Sequence, residues 1–236
     1  MLTNLAAYLG ERTYPGRGIL LGRSADNKKA VIAYFIMGRS ENSRNRVFET
    51  TDDGIRTKAY DESKMTDPSL IIYHPVRYMG PVMTVVTNGD QTDTIRDFIQ
   101  QGHCYRHALL TRTFEPDGPN WTPRISGIIF KDGGYKLSIL KADSEEEPRP
   151  LRYFYEYRQP RDGVARLIHT YKTDDRPLPP FEGEPEEFVI WGDIDSFTEK
   201  LWRSLDSENK VSLYVRYISA DGSYEDRIVN KNKQGE

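Results

Sequence analysis

Cysteine is all but absent: Cys104 is the only one in 236 residues. An intrachain disulfide is therefore excluded, and a reducing compartment such as the cytoplasm fits. Long apolar runs are lacking too. No stretch approaches the roughly 20 apolar residues of a membrane span, and Met1–Gly10 is too short and mixed for a secretory leader. Neither sign of charge dominates, with 33 Lys and Arg against 36 Asp and Glu and a net charge of −3. That balance gives no general attraction to nucleic acid or to an anionic membrane. Any anion site has to be a local concentration of basic groups. There are only four histidines. His103 and His107 stand four apart, but no third ligand joins them, so no metal site is expected. Walker-type phosphate loops and dinucleotide fingerprints are missing as well. Gly16-Arg17-Gly18 runs into a strand, not a helix. No cofactor is implied, and there is no internal repeat.

What is present is a dense polar stretch, Gly38-Arg39-Ser40-Glu41-Asn42-Ser43-Arg44-Asn45-Arg46. It hangs on the apolar run Val31–Met37. Arginine forks match phosphate oxygens in a bidentate way, and Asn and Ser add neutral donors. A solvated loop is the plainer reading of the same composition.

Strand signals recur along the chain. Ile19–Leu21 and Ala30–Met37 flank a polar turn, and the continuous apolar run predicts a strand covered on both faces. Val47–Thr50 and Ile55–Ala59 flank Asp52-Asp53-Gly54. Leu70–Val76 reads as a short β-type run, and Val82–Thr87 is rich in β-branched residues. Ile125–Phe130 and Tyr135–Leu140 are joined by Asp132-Gly133-Gly134. Tyr153–Tyr155, Val164–Thr170 and Phe188–Trp191 follow. Val211–Ile218 alternates cleanly and pairs with Ser223–Val229. Helices are predicted from a Thr92 cap to Gly102, over Cys104–Thr111, and from a Ser196/Glu199 capping box.

About ten strands with three segregated helices argue for an α+β layered fold, with two stacked sheets and helices outside. Residues 1–236 read as one domain with a polar tail from about 231. Asp143–Pro150, with its acidic 143–147 stretch, reads as a surface insertion or a weak boundary. Glu115 and Thr122-Pro123-Arg124 lie in a long helix-to-strand loop, where functional groups collect.

Taken together, several stretches resemble the archaeal-type IMP cyclohydrolases. They are Tyr14-Pro15-Gly16-Arg17-Gly18, Gly38-Arg39-Ser40 with Asn45-Arg46, Tyr73, Thr87-Asn88-Gly89-Asp90-Gln91-Thr92-Asp93, and Thr122-Pro123-Arg124-Ile125. Their joint order, from about residue 14 to 230, carries the resemblance. It implies a four-layer αββα sandwich like the N-terminal-nucleophile (Ntn) hydrolases, without autoproteolysis. Thr13 is the one nearby nucleophile.

The implied reaction is dehydrative closure of 5-formamidoimidazole-4-carboxamide ribonucleotide (FAICAR) to IMP in purine biosynthesis. Such a reaction needs no metal, redox group or covalent intermediate. The partner is then a purine ribonucleotide, with homo-oligomerisation left open. Tyr73, Glu115 and Arg124 are the expected catalytic groups. Glu115 is the base or holds the carboxamide, and Tyr73 orients the formyl oxygen or relays a proton. Arg39, Asn45 and Arg46 would bind the 5′-phosphate or carboxamide edge. Asn88 and Asp93 would hold ribose or base. Arg17 and Arg124 would supply positive charge to the oxyanion or the phosphate. Two other expectations stand beside this one: an Ntn-like amidohydrolase, and a catalytically inactive purine-nucleotide-binding protein.

Overall fold

The computed structural model describes residues 4–232. In chain order the elements are α1 (Leu5–Gly10), β1 (Arg17–Arg23), β2 (Lys29–Met37), α2 (Glu41–Arg44), β3 (Arg46–Thr51), β4 (Gly54–Ala59), β5 (Val76–Met79), β6 (Met83–Thr87), α3 (Gln91–Gln100) and α4 (Tyr105–Leu110). They continue with β7 (Arg124–Phe130), β8 (Tyr135–Ala142), β9 (Pro150–Tyr157), β10 (Val164–His169), β11 (Glu186–Val189), α5 (Ile194–Ser204), β12 (Lys210–Ser219) and β13 (Tyr224–Asn230).

The strands form two antiparallel sheets. One runs β11-β10-β1-β2-β12-β13, the other β3-β4-β5-β6-β7-β8-β9. Strand β2 explains why its run is unbroken. Val31, Ala33, Phe35 and Met37 pack outward with Leu5, Leu9, Phe197 and Leu201 of α1 and α5. Ala30, Ile32, Tyr34 and Ile36 face inward against Phe48, Ile55, Val86 and Ile125 of the second sheet. Each fully buried Ile or Phe contributes about 1.5–3 kcal/mol. On the far face of the second sheet, Val85, Ile128 and Leu140 pack with Ile95, Tyr105 and Leu109 of α3 and α4. The order of layers is helices, sheet, sheet, helices.

Three expectations shift. Residues 70–74 form turns and bends, and the strand lies at Val76–Met79, just past Pro75. Helix α5 begins two residues before Ser196, because Asp193 caps it by accepting the Ser196 N–H at 2.8 Å. Helix α3 likewise begins ahead of Thr92, whose hydroxyl turns back to the Gly89 carbonyl at 3.0 Å. The polar 38–46 stretch holds the short helix α2, with Ser40 and Ser43 capping each other.

Candidate active site

At one end of the sandwich, both sheets deliver polar side chains to a shared interior. Arg17 opens β1, Arg46 opens β3 and Arg124 opens β7, while Asn88 follows the end of β6 and Tyr171 the end of β10. Antiparallel pairing brings these ends together. Arg17 pairs with Ile36 near the end of β2, and Thr87 pairs with Ser126 near the start of β7.

Glu115 sits at the centre and is 2% exposed. Its backbone N–H donates to the Thr122 carbonyl at 2.9 Å, which closes the loop between them. Burial pushes its carboxyl up to about 7, against the pull of Arg17 and Arg124. Arg17 is buried as well. Burial opposes its charge, but Glu115, Tyr171, Tyr14 and Tyr73 outweigh that and hold its pKa well above the usual value. Its Nε has no hydrogen-bond partner among the described residues. Arg46 is fully buried, with Nε donating to the Ser43 carbonyl at 2.8 Å and Nη1 unpartnered among the described residues. Its pKa is lowered, first by burial and then by Arg17. Buried donors without partners are uncommon and costly, so a cluster of them next to a buried acid calls for an explanation beyond folding.

Tyr73 is buried, and its hydroxyl meets that of Tyr34 at 2.9 Å. Arg124 donates Nη1 to Asp90 at 2.7 Å and to Gln91 at 2.8 Å. Gly89 permits this approach: a Cβ there would stand 2.6 Å from that Nη1 and from the Gln91 Oε1. Arg39 lies at the rim, its guanidinium 4.7 Å from the Tyr14 ring centre and bonded to the Asp174 carbonyl at 3.0 Å. Tyr14 in turn stacks on Tyr171.

The other three predicted residues have different surroundings. Asn45 is spent on the Asp61 backbone, donating at 2.7 Å and accepting at 2.8 Å. Asn88 donates to the Pro123 carbonyl at 2.8 Å and accepts from the Ile125 N–H at 2.9 Å and from Gln91 at 3.0 Å. Both asparagines brace the walls. Asp93 stands apart from Glu115, in ion pairs with Arg77 at 2.8 Å and Arg96 at 3.0 Å.

Sequence reasoning assigned no role to Tyr34, Tyr171, Asp117 or the Thr122 hydroxyl. The triplet beginning at Thr122 pointed to the right loop, but Tyr171 reaches the site from 49 residues away. No group of His, Cys, Asp or Glu among the described residues is arranged to hold a metal ion. No described helix is long and apolar enough to cross a membrane.

Comparison with known proteins agrees on where the similarity lies. Residues 14–222 match the family described as IMP cyclohydrolase-like protein. The IMP cyclohydrolase of Methanococcus maripaludis (strain C7) is 35% identical over 135 residues, which cover 55% of this chain and 65% of that protein. That of Methanopyrus kandleri is 30% identical over 162 residues, 67% of this chain and 75% of that protein. That of Halobacterium salinarum (strain ATCC 29341) is 30% identical over 135 residues, covering 56% and 64%. The match thus spans less than two thirds of the Methanococcus and Halobacterium relatives.

Proposed function

We propose a ring-closing role for this chain, which belongs to the family of IMP cyclohydrolase-like proteins. The substrate is FAICAR and the products are IMP and water. One observation carries the reading: a buried Glu115 with a pKa of about 7 lies with buried Arg17 and Arg46, each of which keeps a guanidinium nitrogen without a hydrogen-bond partner among the described residues. An anionic ribotide would supply the missing acceptors, and the carboxyl is poised to exchange a proton near neutral pH.

The attacking nitrogen and the formyl carbon already share one molecule, so the site has chiefly to hold the reactive rotamer. Glu115 takes a proton from the carboxamide nitrogen as it bonds to the formyl carbon. Arg17 and Arg46 stabilise the negative charge that develops on the former formyl oxygen. Tyr73, backed by Tyr34, orients that oxygen. The protonated Glu115 then returns its proton to that oxygen. As the C–O bond breaks, the former formamide nitrogen forms the C=N bond and loses its N–H proton, which completes the departing water. Arg39 and Arg124 are placed for the phosphate. Asn45 and Asn88 act as scaffolding in this reading, and Asp93 takes no part.

The layer order supports a likeness to the Ntn hydrolases, here without self-cleavage. Thr13, the nearby nucleophile, has its hydroxyl donated to Asp174 at 2.5 Å. We take residues 1–236 as one catalytic domain working in the cytoplasm. The test is an absorbance assay of ring closure with purified protein and no added metal or folate. Turnover is expected. Tight IMP binding without turnover would mark a binding protein instead, and neither would end the reading.

A further inference from the structure

The loop that carries Glu115 also carries an acid that the reaction above does not use. Asp117 accepts the Thr122 backbone N–H on Oδ1 at 2.7 Å, and its Oδ2 accepts the Thr122 hydroxyl. The same hydroxyl oxygen lies 2.5 Å from the Tyr171 hydroxyl. Thr122 and Tyr171 are 1% and 2% exposed, whereas Asp117 is only partly buried. Directions in this chain are forced. A carboxylate only accepts, so Thr122 donates to Asp117. Thr122 has one proton, so Tyr171 donates to Thr122. The Tyr171 proton is thereby committed away from the site, and its oxygen is left with lone pairs beside Arg17.

The ring itself is held firmly. Tyr14 stacks on it with centroids 5.7 Å apart. The His169 Nδ1 lies 2.9 Å from the Tyr171 carbonyl, and the His169 Nε2 lies 2.8 Å from the Tyr8 hydroxyl. Burial lowers the pKa of His169 to about 4, so the ring is neutral. Nδ1–H then donates to the carbonyl, and Nε2 accepts from Tyr8.

We propose that Asp117, through Thr122, fixes Tyr171 as a hydrogen-bond acceptor for an N–H of the ring-closing nitrogen. Asp117 and Thr122 are positioning residues, and Tyr171 is the group that touches substrate. This rests on the cyclohydrolase reading. The interior is otherwise rich in donors, with Arg17, Arg46 and Arg124. Glu115 and Tyr171 are acceptors that both lie close enough to Arg17 to raise its pKa against the effect of burial. A carboxamide nitrogen has two N–H bonds, one for each. After closure the same nitrogen is N1 of the hypoxanthine ring and still carries one hydrogen. The arrangement therefore selects a purine with N1–H over one whose N1 is a bare lone pair.

Replacing Asp117 by Asn reverses the chain. The Asn oxygen keeps the Thr122 N–H, its NH₂ donates to the Thr122 hydroxyl oxygen, and Thr122 must then donate to Tyr171. The Tyr171 proton turns into the site, and an acceptor becomes a donor. The experiment measures binding of IMP and of purine riboside 5′-monophosphate, which lacks N1–H, by calorimetric titration. Wild type, Asp117→Asn, Tyr171→Phe and the double variant are compared, each checked for a native melting transition. Wild type is expected to prefer IMP by about tenfold, the value of one good hydrogen bond. Asp117→Asn should erase or invert that preference. Tyr171→Phe should erase it, and adding Asp117→Asn should change nothing further. A ratio unmoved in Asp117→Asn, or additive effects in the double variant, would overturn the proposal. Ring closure by wild type is read in parallel. Turnover with an unmoved ratio sinks the relay alone, and an inverted ratio without turnover sinks the catalytic reading alone.

Discussion

The two ends of the sandwich bury the same residue types to opposite effect. At the far end, Arg216 lies between the rings of Tyr78 and Tyr224, its guanidinium 3.7 and 3.6 Å from their centres. Asp226 stands 3.6 Å away and accepts from the Tyr214 hydroxyl at 3.1 Å and the Tyr78 hydroxyl at 3.3 Å. A cleft of about 370 Å³ opens beside this cluster, lined in part by Lys131, Pro81 and Gly222. Here the cation has its carboxylate and its aromatic faces. Each end leaves a guanidinium nitrogen without a partner among the described residues, Arg216 Nε included. At the near end, however, Arg17 and Arg46 lack, among the described residues, the ion-paired carboxylate that Arg216 has in Asp226. Buried arginine alone does not mark a functional site. Buried arginines crowded together do, where burial and then Arg17 lower the pKa of Arg46 and burial pushes a carboxyl beside them up to about 7. Folding by itself gains little from that arrangement.

The contrast is broken or sharpened by substitution at each end. Glu115→Gln should lower turnover about 10²–10⁴-fold, the usual worth of a positioned base, with IMP affinity within a few-fold of wild type. Steady-state kinetics and titration together check it, and near-normal turnover would remove Glu115 from the chemistry. Wild-type kcat/KM should rise with pH through about 7 as Glu115 ionises, and the variant should lose that limb.

Tyr73→Phe should cost about 10–100-fold in turnover through the lost hydroxyl, again with little loss of affinity. A rise in KM at constant kcat would instead make Tyr73 a binding group.

The third effect is on stability. Glu115 has a folded pKa of about 7 against an ordinary 4.5, raised chiefly by burial. A carboxyl shifted upward favours the fold below its unfolded pKa, and that contribution is lost as pH rises through 7. Glu115→Gln should therefore gain about 3 kcal/mol on wild type between pH 4 and pH 8. Denaturant titrations at the two pH values measure it, and a constant difference would contradict the burial.

The smallest change in chemistry belongs to the far end. Arg216→Met should leave turnover within about twofold while costing about 1–3 kcal/mol in stability, because Asp226 loses its cation. Loss of activity in a folded Arg216→Met protein would erase the distinction between the ends.

Much of the frame was legible because it is written locally. The β2 run, the Asp132-Gly133-Gly134 turn and the alternation of β12 each carry their own signal. Helix α1 went unread because it has only Leu5 and Leu9 as buried anchors over six residues. Strand β5 hid behind Pro75, its four residues too few to show a period. Arg17, Arg46, Glu115 and Arg124 were named through the family resemblance, with the long helix-to-strand loop alone drawing notice to Glu115 and Arg124. Asn45 and Asn88 also sit in the stretches that carry that resemblance, but nothing local told that backbone groups would use up their side chains. Tyr171 was invisible for a different reason. Its place depends on contacts such as the Arg17 N–H to Thr170 Oγ1, 153 residues apart, which no local pattern encodes.

The segment from Glu115 to Thr122 is stapled to itself, by the Glu115 N–H on the Thr122 carbonyl and by Asp117 on Thr122. In the proposed mechanism, proton acceptor and polarity switch are thus two handles on one rigid buckle. Any force that shifts the buckle must move both at once, so engineering that transplants it whole should carry the pair intact, while swapping single residues inside it would uncouple them.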